Sequence, residues 1–368
     1  MTTKARTTSA PVLGLRALNR ATLARQLLLR RASLSAEAAV AHLVGLQAQN
    51  VKPPYYALAA RLDGFTPDDL SAPMADRRVA RLVTLRSTLH THTADDCLTL
   101  RPLVQAARDR ELGAFRKGLV GVDLDRLAVL ARELVEAEPR TMGQLREALL
   151  AEWPDADPQA LSVAARCRLP LVQVTPRGLW GRSGQVTLTT AEHWLGSPAT
   201  PPGPGRHGAA LPRRLRARLR QGHADLGGPD PPQGRLRTAP SASRHLPGPG
   251  RHRAVRPARR APARPETPAP PRFLPEFDNL LLSHADRTRL VPPAYKGRTW
   301  AKNTAYRVLL VDGFVAGLWR LDDDALVVEP FGPLTGARRD EVVAEGERML
   351  AALHPGSTYA VRFGTVRG

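Results

Sequence analysis

The apolar positions of the chain predict a mixture of amphipathic helices and short strands. Ser35, followed by Glu37 and an apolar run, is a helix-start signal, and Pro53 ends the helical segment that follows. Helical spacing is clear in three stretches, 16–29, 35–46 and 124–138. The stretch 82–93 alternates like a strand or the arm of a hairpin.

A compact unit follows in the middle of the chain. Residues 141–153 predict a capped helix, 158–168 a second helix, 169–174 a short strand and 176–184 a Gly-rich basic hairpin. This is the order of a winged helix, a variant of the helix-turn-helix. A small α+β domain without a ligand is the alternative.

The C-terminal part predicts a small β-rich domain. Asp312-Gly313 supplies a hairpin turn between two apolar stretches. The predicted elements are strands over 306–311, 314–321, 325–330 and 359–363, and a covering helix over 340–353.

Composition restricts the class of protein. The chain has 368 residues, 42% of them hydrophobic, which is enough for about two or three domains with a buried core. No apolar run approaches the ~18–20 residues of a membrane-spanning helix, and no apolar segment of a signal peptide follows Lys4 and Arg6. Cys97 and Cys167 are too few for a disulfide framework or a zinc site. We expect a cytoplasmic protein without a membrane partner.

The charge indicates a polyanionic partner, but it is unevenly distributed. The net charge is +20, and 202–270 alone holds fifteen Arg, no Lys and three acids. This stretch also holds fourteen Pro and no aromatic residue. One interpretation is a disordered basic linker that binds nucleic acid through counterion release.

A frameshift is the other interpretation of this stretch, and the one we favour. The chain has 49 Arg against 5 Lys and no Ile, as a GC-rich gene gives. Back-translation of three windows, read one base later, yields peptides typical of folded protein: 205–212, 224–234 and 253–260. The shifted frame would close by about residue 265.

Few residues suggest chemistry by themselves. No P-loop, dinucleotide fingerprint, Gly-x-Ser-x-Gly elbow or metal-ligand cluster is present. His90 and His92 share one face of a strand, where ordinary polar contacts are favoured over a metal site. Asp95 and Asp96 are typical of a helix start.

Gln47 and Gln49 lie where a helix ends. Each amide offers two donors and an acceptor, so it can hold a water while bonding a base edge or sugar. Spacing alone gives catalysis little support here, because glutamines are common at helix ends.

Several motifs together resemble the AlkZ/YcaQ-like family of winged-helix DNA glycosylases. They cover most of the chain outside 202–270: GLQAQ at 45–49 within 16–62, RSTLH at 86–90, LPLVQVTPRGLWG at 169–181 and LPEFDNLLLSHADR at 274–287. The Gln-x-Gln motif matches the AlkZ-like branch. The peptide hidden in 253–260 also resembles what the family carries before its LPEFDN segment, which favours the frameshift.

The resemblance implies an α+β fold of tandem winged-helix units with a C-terminal β-rich domain, and DNA in a concave channel. The expected divisions are an N-terminal winged-helix-like unit at 12–115 and a second winged-helix unit at 116–200. The Pro/Arg-rich segment at 201–270 takes the place of a third unit, and the β-rich domain follows at 271–368. The unit at about 202–265 is expected to be scrambled or disordered, which puts activity in doubt.

The resemblance also implies a DNA glycosylase that excises N7-alkylated purines, crosslinked ones included, without full extrusion of the base. The partner is double-stranded DNA, with no cofactor and no metal, and a monomer is expected. Gln47 and Gln49 are the expected catalytic pair, and Asp278 and Asn279 are expected to fix backbone turns. The expected DNA contacts are Arg61, Arg86, His90, Arg177, Arg182 and Arg287.

Two alternatives remain. One is a non-enzymatic winged-helix DNA-binding protein, such as a transcriptional regulator. The other is the product of a decayed gene that has neither activity.

Overall fold

Two mixed layers of helix and sheet, one in the N-terminal half and one at the C-terminus, make up the described part of the chain. The computed structural model describes residues 14–196, 264–283, 286–356 and 358–365. Both predicted kinds of element occur, so the α+β class is confirmed. The Pro/Arg-rich segment lies almost wholly outside the described residues. The prediction that 202–265 is scrambled or disordered concerns this segment and also falls outside them.

The helices of the N-terminal half are α1 to α10, and α11 and α12 belong to the C-terminal part. Their bounds are Leu15–Arg25, Ala36–Leu43, Pro53–Ala59, Asp68–Ala75, Ala94–Leu103, Gln105–Gly113, Leu124–Ala137, Met142–Glu152, Pro158–Arg168 and Ala191–Leu195, then Asn279–Leu282 and Gly336–Leu353.

A six-stranded sheet runs through the N-terminal half in the order β1-β3-β2-β5-β6-β4. Its strands are, in chain order from β1 to β6, Leu46–Gln47, Val79–Val83, Leu89–Thr93, Arg140–Thr141, Leu171–Gln173 and Thr187–Thr190. The antiparallel pairing of Leu82 with Val172 joins β2 to β5. The sheet therefore includes strands from both sides of the boundary that was predicted between residues 115 and 116. The division of the chain into four units remains a prediction.

The C-terminal sheet has the order β13-β12-β11-β10-β7, and β8 and β9 form a separate two-stranded ribbon. The strands from β7 to β13 are Arg272–Leu274, Trp300–Ala301, Thr304–Ala305, Val308–Val311, Phe314–Leu321, Ala325–Pro330 and Ala360–Phe363. Helix α12 packs on this sheet.

The largest hydrophobic core joins the two halves. Leu43 and Tyr56 of the N-terminal helices lie in the same buried cluster as Phe273, Trp319 and Leu350 of the C-terminal part. A second cluster buries α1 against the C-terminal sheet. The N-terminal helices thus depend on the C-terminal sheet for burial of their apolar faces.

Local signals predicted several elements correctly. The Ser35 side chain caps α2 by accepting from the Ala38 N–H. Thr141 and Gln144 form a reciprocal capping box at α8. Asp312 and Gly313 both have positive φ angles and connect β10 to β11, and Asp95 and Asp96 lie in the first turn of α5.

Two apolar stretches differ from their predicted form. The helix expected over 16–29 ends at Arg25, and Leu27 has a φ of 59°. Leu27 packs in the core that joins the two halves, whereas Leu28 and Leu29 pack in the core beneath α1. One helical face could not reach both cores. The stretch 82–93 contains the last two residues of β2, the turn at 84–88 and the whole of β3, so it is more than a single strand or hairpin arm.

Among the described residues, no helix is both long and apolar enough to cross a membrane. Cys97 and Cys167 are buried free thiols.

Candidate active site

The Gln-x-Gln motif lies on a short edge strand that directly follows a helix end. Helix α2 ends at Leu43. Its C-cap residue, Val44, takes the left-handed conformation, and Gly45 follows with a φ of 93°. A Cβ atom on Gly45 would lie 2.3 Å from the His92 ring. Only glycine fits this turn, and the turn directs the chain into β1.

Strand β1 is held in register from both sides. Gln47 pairs with His90 across β3, and the Ala48 N–H donates to the Leu89 carbonyl at 2.8 Å. On the other side Arg81 Nη2 donates to the Ala48 carbonyl at 2.6 Å. The backbone between the two glutamines is therefore fixed before any ligand binds.

The two glutamine side chains are anchored by their carbonyl oxygens. Gln47 Oε1 accepts from Arg86 Nη2 at 2.9 Å, and Gln49 Oε1 accepts from the Leu89 N–H at 3.0 Å. Gln47 is 7% exposed, whereas Gln49 is exposed. Both partners can only donate, so each glutamine uses its amide oxygen in this hydrogen bond. The NH₂ group of each amide points away from the bond.

The turn between β2 and β3 presents Arg86 to the motif. Arg86 and Ser87 both have a φ of 54°, a conformation that is uncommon outside glycine and costs about 1–2 kcal/mol per residue. The surrounding strands hold it. Strained backbone of this kind occurs preferentially at ligand-binding and catalytic positions.

His90 and His92 lie on the buried side of the Gln-x-Gln motif. Their rings stack at 5.6 Å, and both residues are fully buried. His90 Nδ1 lies 2.9 Å from the Thr88 carbonyl and His92 Nε2 lies 2.8 Å from Thr84 Oγ1. In the described ranges, no group of three or more His, Cys, Asp and Glu side chains could hold a metal ion.

The segment 275–279 from the C-terminal part closes the other side of Gln47. Asn279 Nδ2 donates to the Gly45 carbonyl at 2.7 Å. Asp278 caps α11 by accepting from the Leu280 N–H at 2.9 Å, so its predicted backbone role is confirmed. Two of the motifs that carry the family resemblance are thus in direct contact.

A crevice of about 10 Å³ lies between these two segments, which is roughly the space that one water needs. Its wall includes Gln47, Glu276, Phe277 and Asp278. Phe277 has a φ of 60°, which is rare for a bulky residue. Its ring packs edge-on against Trp300 at 5.6 Å.

Glu276 is the second acidic residue of this wall. It is 9% exposed, and its carboxylate accepts from Asn50 Nδ2 at 3.1 Å and from Arg307 Nε at 2.8 Å. Burial by itself raises the pKa of Glu276, but the Arg307 charge and these hydrogen bonds outweigh it. The pKa lies below its ordinary value, so the carboxylate is ionised at neutral pH.

The long loop between β5 and β6, residues 174–186, supports Arg81 from behind. Tyr55 Oη donates to the Gly178 carbonyl at 2.8 Å, and a Cβ on Gly178 would lie 2.9 Å from Arg81 Cδ. Burial and the nearby Arg177 charge lower the pKa of Arg81 to about 10. The predicted basic wing therefore packs partly on the N-terminal helices.

Two of the expected DNA contacts do not face solvent. Arg61 is fully buried and forms a two-pronged ion pair with Asp278, with both N–O distances at 2.8 Å. His90 is buried behind Gln47. Neither side chain can reach a phosphate from these positions, so the expectation of direct DNA contact is corrected for both.

The other expected contacts are more accessible. Arg86 and Arg182 are exposed, and Arg177 and Arg287 are half-buried. Arg86 lies beside Gln47, and Arg177 and Arg182 belong to the loop 174–186. A role in DNA binding remains a prediction for these four.

Sequence reasoning missed four residues that build the site. Arg81, Asn50 and Arg307 carried no motif, and their roles depend on contacts between distant segments. Glu276 lies inside the LPEFDN motif, in which Asp278 and Asn279 were the predicted turn-forming residues. The signal that could have found it is the presence of an acidic residue in a segment that already carried the family resemblance.

Comparison with known proteins gives a family and a fold. The family model described as "DNA glycosylase AlkZ-like" matches residues 40–352. A comparison with curated proteins finds no match. Among solved structures, the chain is similar to the Streptomyces sahachiroi DNA glycosylase AlkZ, with a TM-score of 0.66 and 18% identity, over 96% of this chain and 100% of that one. At this identity the structural likeness shows the fold alone.

Proposed function

The chain belongs to the AlkZ-like DNA glycosylase family, whose model matches residues 40–352, and on this premise we propose that it hydrolyses the N-glycosidic bond of N7-alkylated purines in duplex DNA. The observation that carries the proposal is the anchoring of Gln47 and Gln49. Each amide is fixed through its oxygen, which leaves N–H groups free to hold the oxygen of a water at the scissile bond.

The chemistry suits neutral amides. An N7-alkylguanine carries a positive charge, so the base leaves as a neutral molecule when the bond from C1′ to N9 breaks and the electron pair goes to the base. The sugar becomes an oxocarbenium-like cation, and a water adds to C1′. The enzyme must position that water and stabilise the cation, but it need not protonate the leaving base.

The size of the crevice favours bulky lesions. As the described residues form it, the crevice has a volume of about 10 Å³, which is too small for an extruded purine of the kind that base-flipping enzymes enclose. Attack on a nucleotide that stays near the duplex fits this geometry better. Such attack tolerates a large alkyl group or a crosslink to the other strand, because the modified base needs no enclosing pocket.

Arginines near the motif supply the contacts for the DNA backbone. Arg86 is exposed beside Gln47, and Arg182 is exposed in the loop 174–186. We propose Arg86, Arg177, Arg182 and Arg287 as phosphate contacts. Contacts of this kind position the duplex without reading its sequence.

Single-turnover kinetics on a duplex with one N7-methylguanine test the proposal. Gln47→Ala and Gln49→Ala should each lower the rate of base release by about 10²-fold, the scale of one positioned catalytic group. DNA affinity, measured by fluorescence anisotropy, should change little. Gln185→Ala is the matched control, since Gln185 is exposed in the loop 174–186, and it should behave like the wild type.

The same experiment separates the enzyme from a DNA-binding regulator. Tight binding of duplex DNA by the wild type, without release of any base, would overturn the glycosylase proposal and favour the regulator. A parallel duplex with an N7 interstrand crosslink tests the bulky-lesion part. Release of N7-methylguanine without unhooking of the crosslink would restrict the substrate to simple adducts.

A further inference from the structure

The orientation of the two glutamine amides leaves the proposed reaction without a proton acceptor. Arg86 Nη2 and the Leu89 N–H are both donors, so the atoms that face them in Gln47 and Gln49 must be oxygens. The NH₂ groups can donate to the oxygen of the attacking water, which orients it. They cannot accept the proton that this water must lose, and a neutral amide oxygen is a very weak base.

Two carboxylates line the crevice beside Gln47, and only one of them is available. Asp278 is engaged through both oxygens with Arg61, and Oδ1 also accepts from the Leu280 N–H. Its side chain has no exposed surface. Asp278 therefore holds the fold together at this point.

Glu276 differs from Asp278 in each of these respects. It keeps part of its surface accessible, and it accepts one hydrogen bond on each oxygen, from Asn50 and Arg307. A carboxylate has about four lone-pair sites, so two hydrogen bonds leave room for a water. Asn50 is only three residues after Gln47, and this contact ties Glu276 to the motif.

We propose that Glu276 is a catalytic residue that accepts the proton of the attacking water. The inference rests on the proposed function. As the bond from C1′ to N9 breaks with its electron pair going to the base, the water oxygen bonds to C1′, and one water proton moves to the Glu276 carboxylate. The carboxylate later releases that proton to solvent. Its negative charge also faces the developing sugar cation.

Glu276→Gln tests this role, because the amide has nearly the same shape and cannot take the proton. We expect base release under single-turnover conditions to fall by about 10²-fold, with unchanged DNA affinity. Glu329→Gln is the matched control: Glu329 is a buried glutamate paired with Arg320, and it does not line the crevice. This control should release base at the wild-type rate.

Chemical rescue separates a proton acceptor from a structural ion pair. Glu276→Ala should be nearly inactive, and formate should restore part of its base release in a concentration-dependent way. Wild-type release together with an unaffected Glu276→Gln variant would overturn the role of Glu276 and leave the proposed function standing. A wild type that releases no base would overturn the proposed function itself.

Asn50→Ala keeps the test decisive if both Glu276 variants fail to fold. Asn50 is exposed, and its loss removes one hydrogen bond that lowers the pKa of Glu276. The acid limb of the rate profile should then move to higher pH than in the wild type. Identical profiles for the two proteins would contradict the proposal.

Discussion

Single buried arginines hold the backbone of the site in place. Arg61 pairs with Asp278, and Arg81 bonds the carbonyl between the two glutamines. Sequence alone did not distinguish Arg61 from a phosphate contact, since its partner lies 217 residues away. The difference has energetic consequences, because a charge left unpaired in a protein interior is far more costly than an exposed one.

Arg61→Ala should therefore unfold the protein more easily, with little specific effect on DNA contact. Loss of one partner leaves Asp278 buried and unpaired, and we expect a loss of about 3–5 kcal/mol in the free energy of unfolding. Urea denaturation measures it. Arg182→Ala, at an exposed arginine, should stay within about 0.5 kcal/mol of the wild type. Equal stability of the two variants would show that the buried pair contributes nothing.

At the scale of elements, local signals worked where capping and turn chemistry decide the structure. Ser35, Thr141 and Asp312-Gly313 each predicted a boundary that the structure has. The hairpin turn at 84–88 was not recognisable, because Arg86 and Ser87 adopt positive φ angles that normally require Gly or Asn. The pairing of β2 with β5 was hidden for another reason: it joins strands about 90 residues apart, without a local signal.

The link from α2 to β1 depends on Gly45 in a way that a substitution can measure. Gly45→Ala adds a Cβ at 2.3 Å from the His92 ring and also forces a residue with a side chain into positive φ. We expect a loss of about 3 kcal/mol or more in unfolding free energy and slower base release, since Gln47 follows two residues later.

Gly64→Ala is the matched control for that change. Gly64 has a φ of 60°, and a Cβ there meets nothing within 4 Å. Only the backbone cost of about 1–2 kcal/mol should remain. If the two variants lost equal stability, the close approach of His92 to Gly45 would have no energetic role.

At the scale of the whole molecule, the site is assembled from the two ends of the chain. Residues 45–90 supply the glutamines and Arg86, and residues 275–307 supply Glu276 and Arg307. The family resemblance predicted which segments matter, but only the folded structure shows that Asn279 and Asn50 connect them. The Pro/Arg-rich stretch 202–265 lies between these segments in sequence, and the described residues that surround Gln47 all come from the two segments.

The most direct test of the proposed glycosylase activity is to measure release of free base by the protein with the printed sequence. Mass spectrometry would detect 7-methylguanine released from a duplex. Two proteins would be compared: this chain, and a second version whose residues 202–265 are recoded in the alternative frame. Because the catalytic residues all lie outside that stretch, we predict release by both chains. Release by the recoded chain alone would show that base release also requires residues of 202–265, contrary to this prediction. No release by either chain would contradict the glycosylase activity itself.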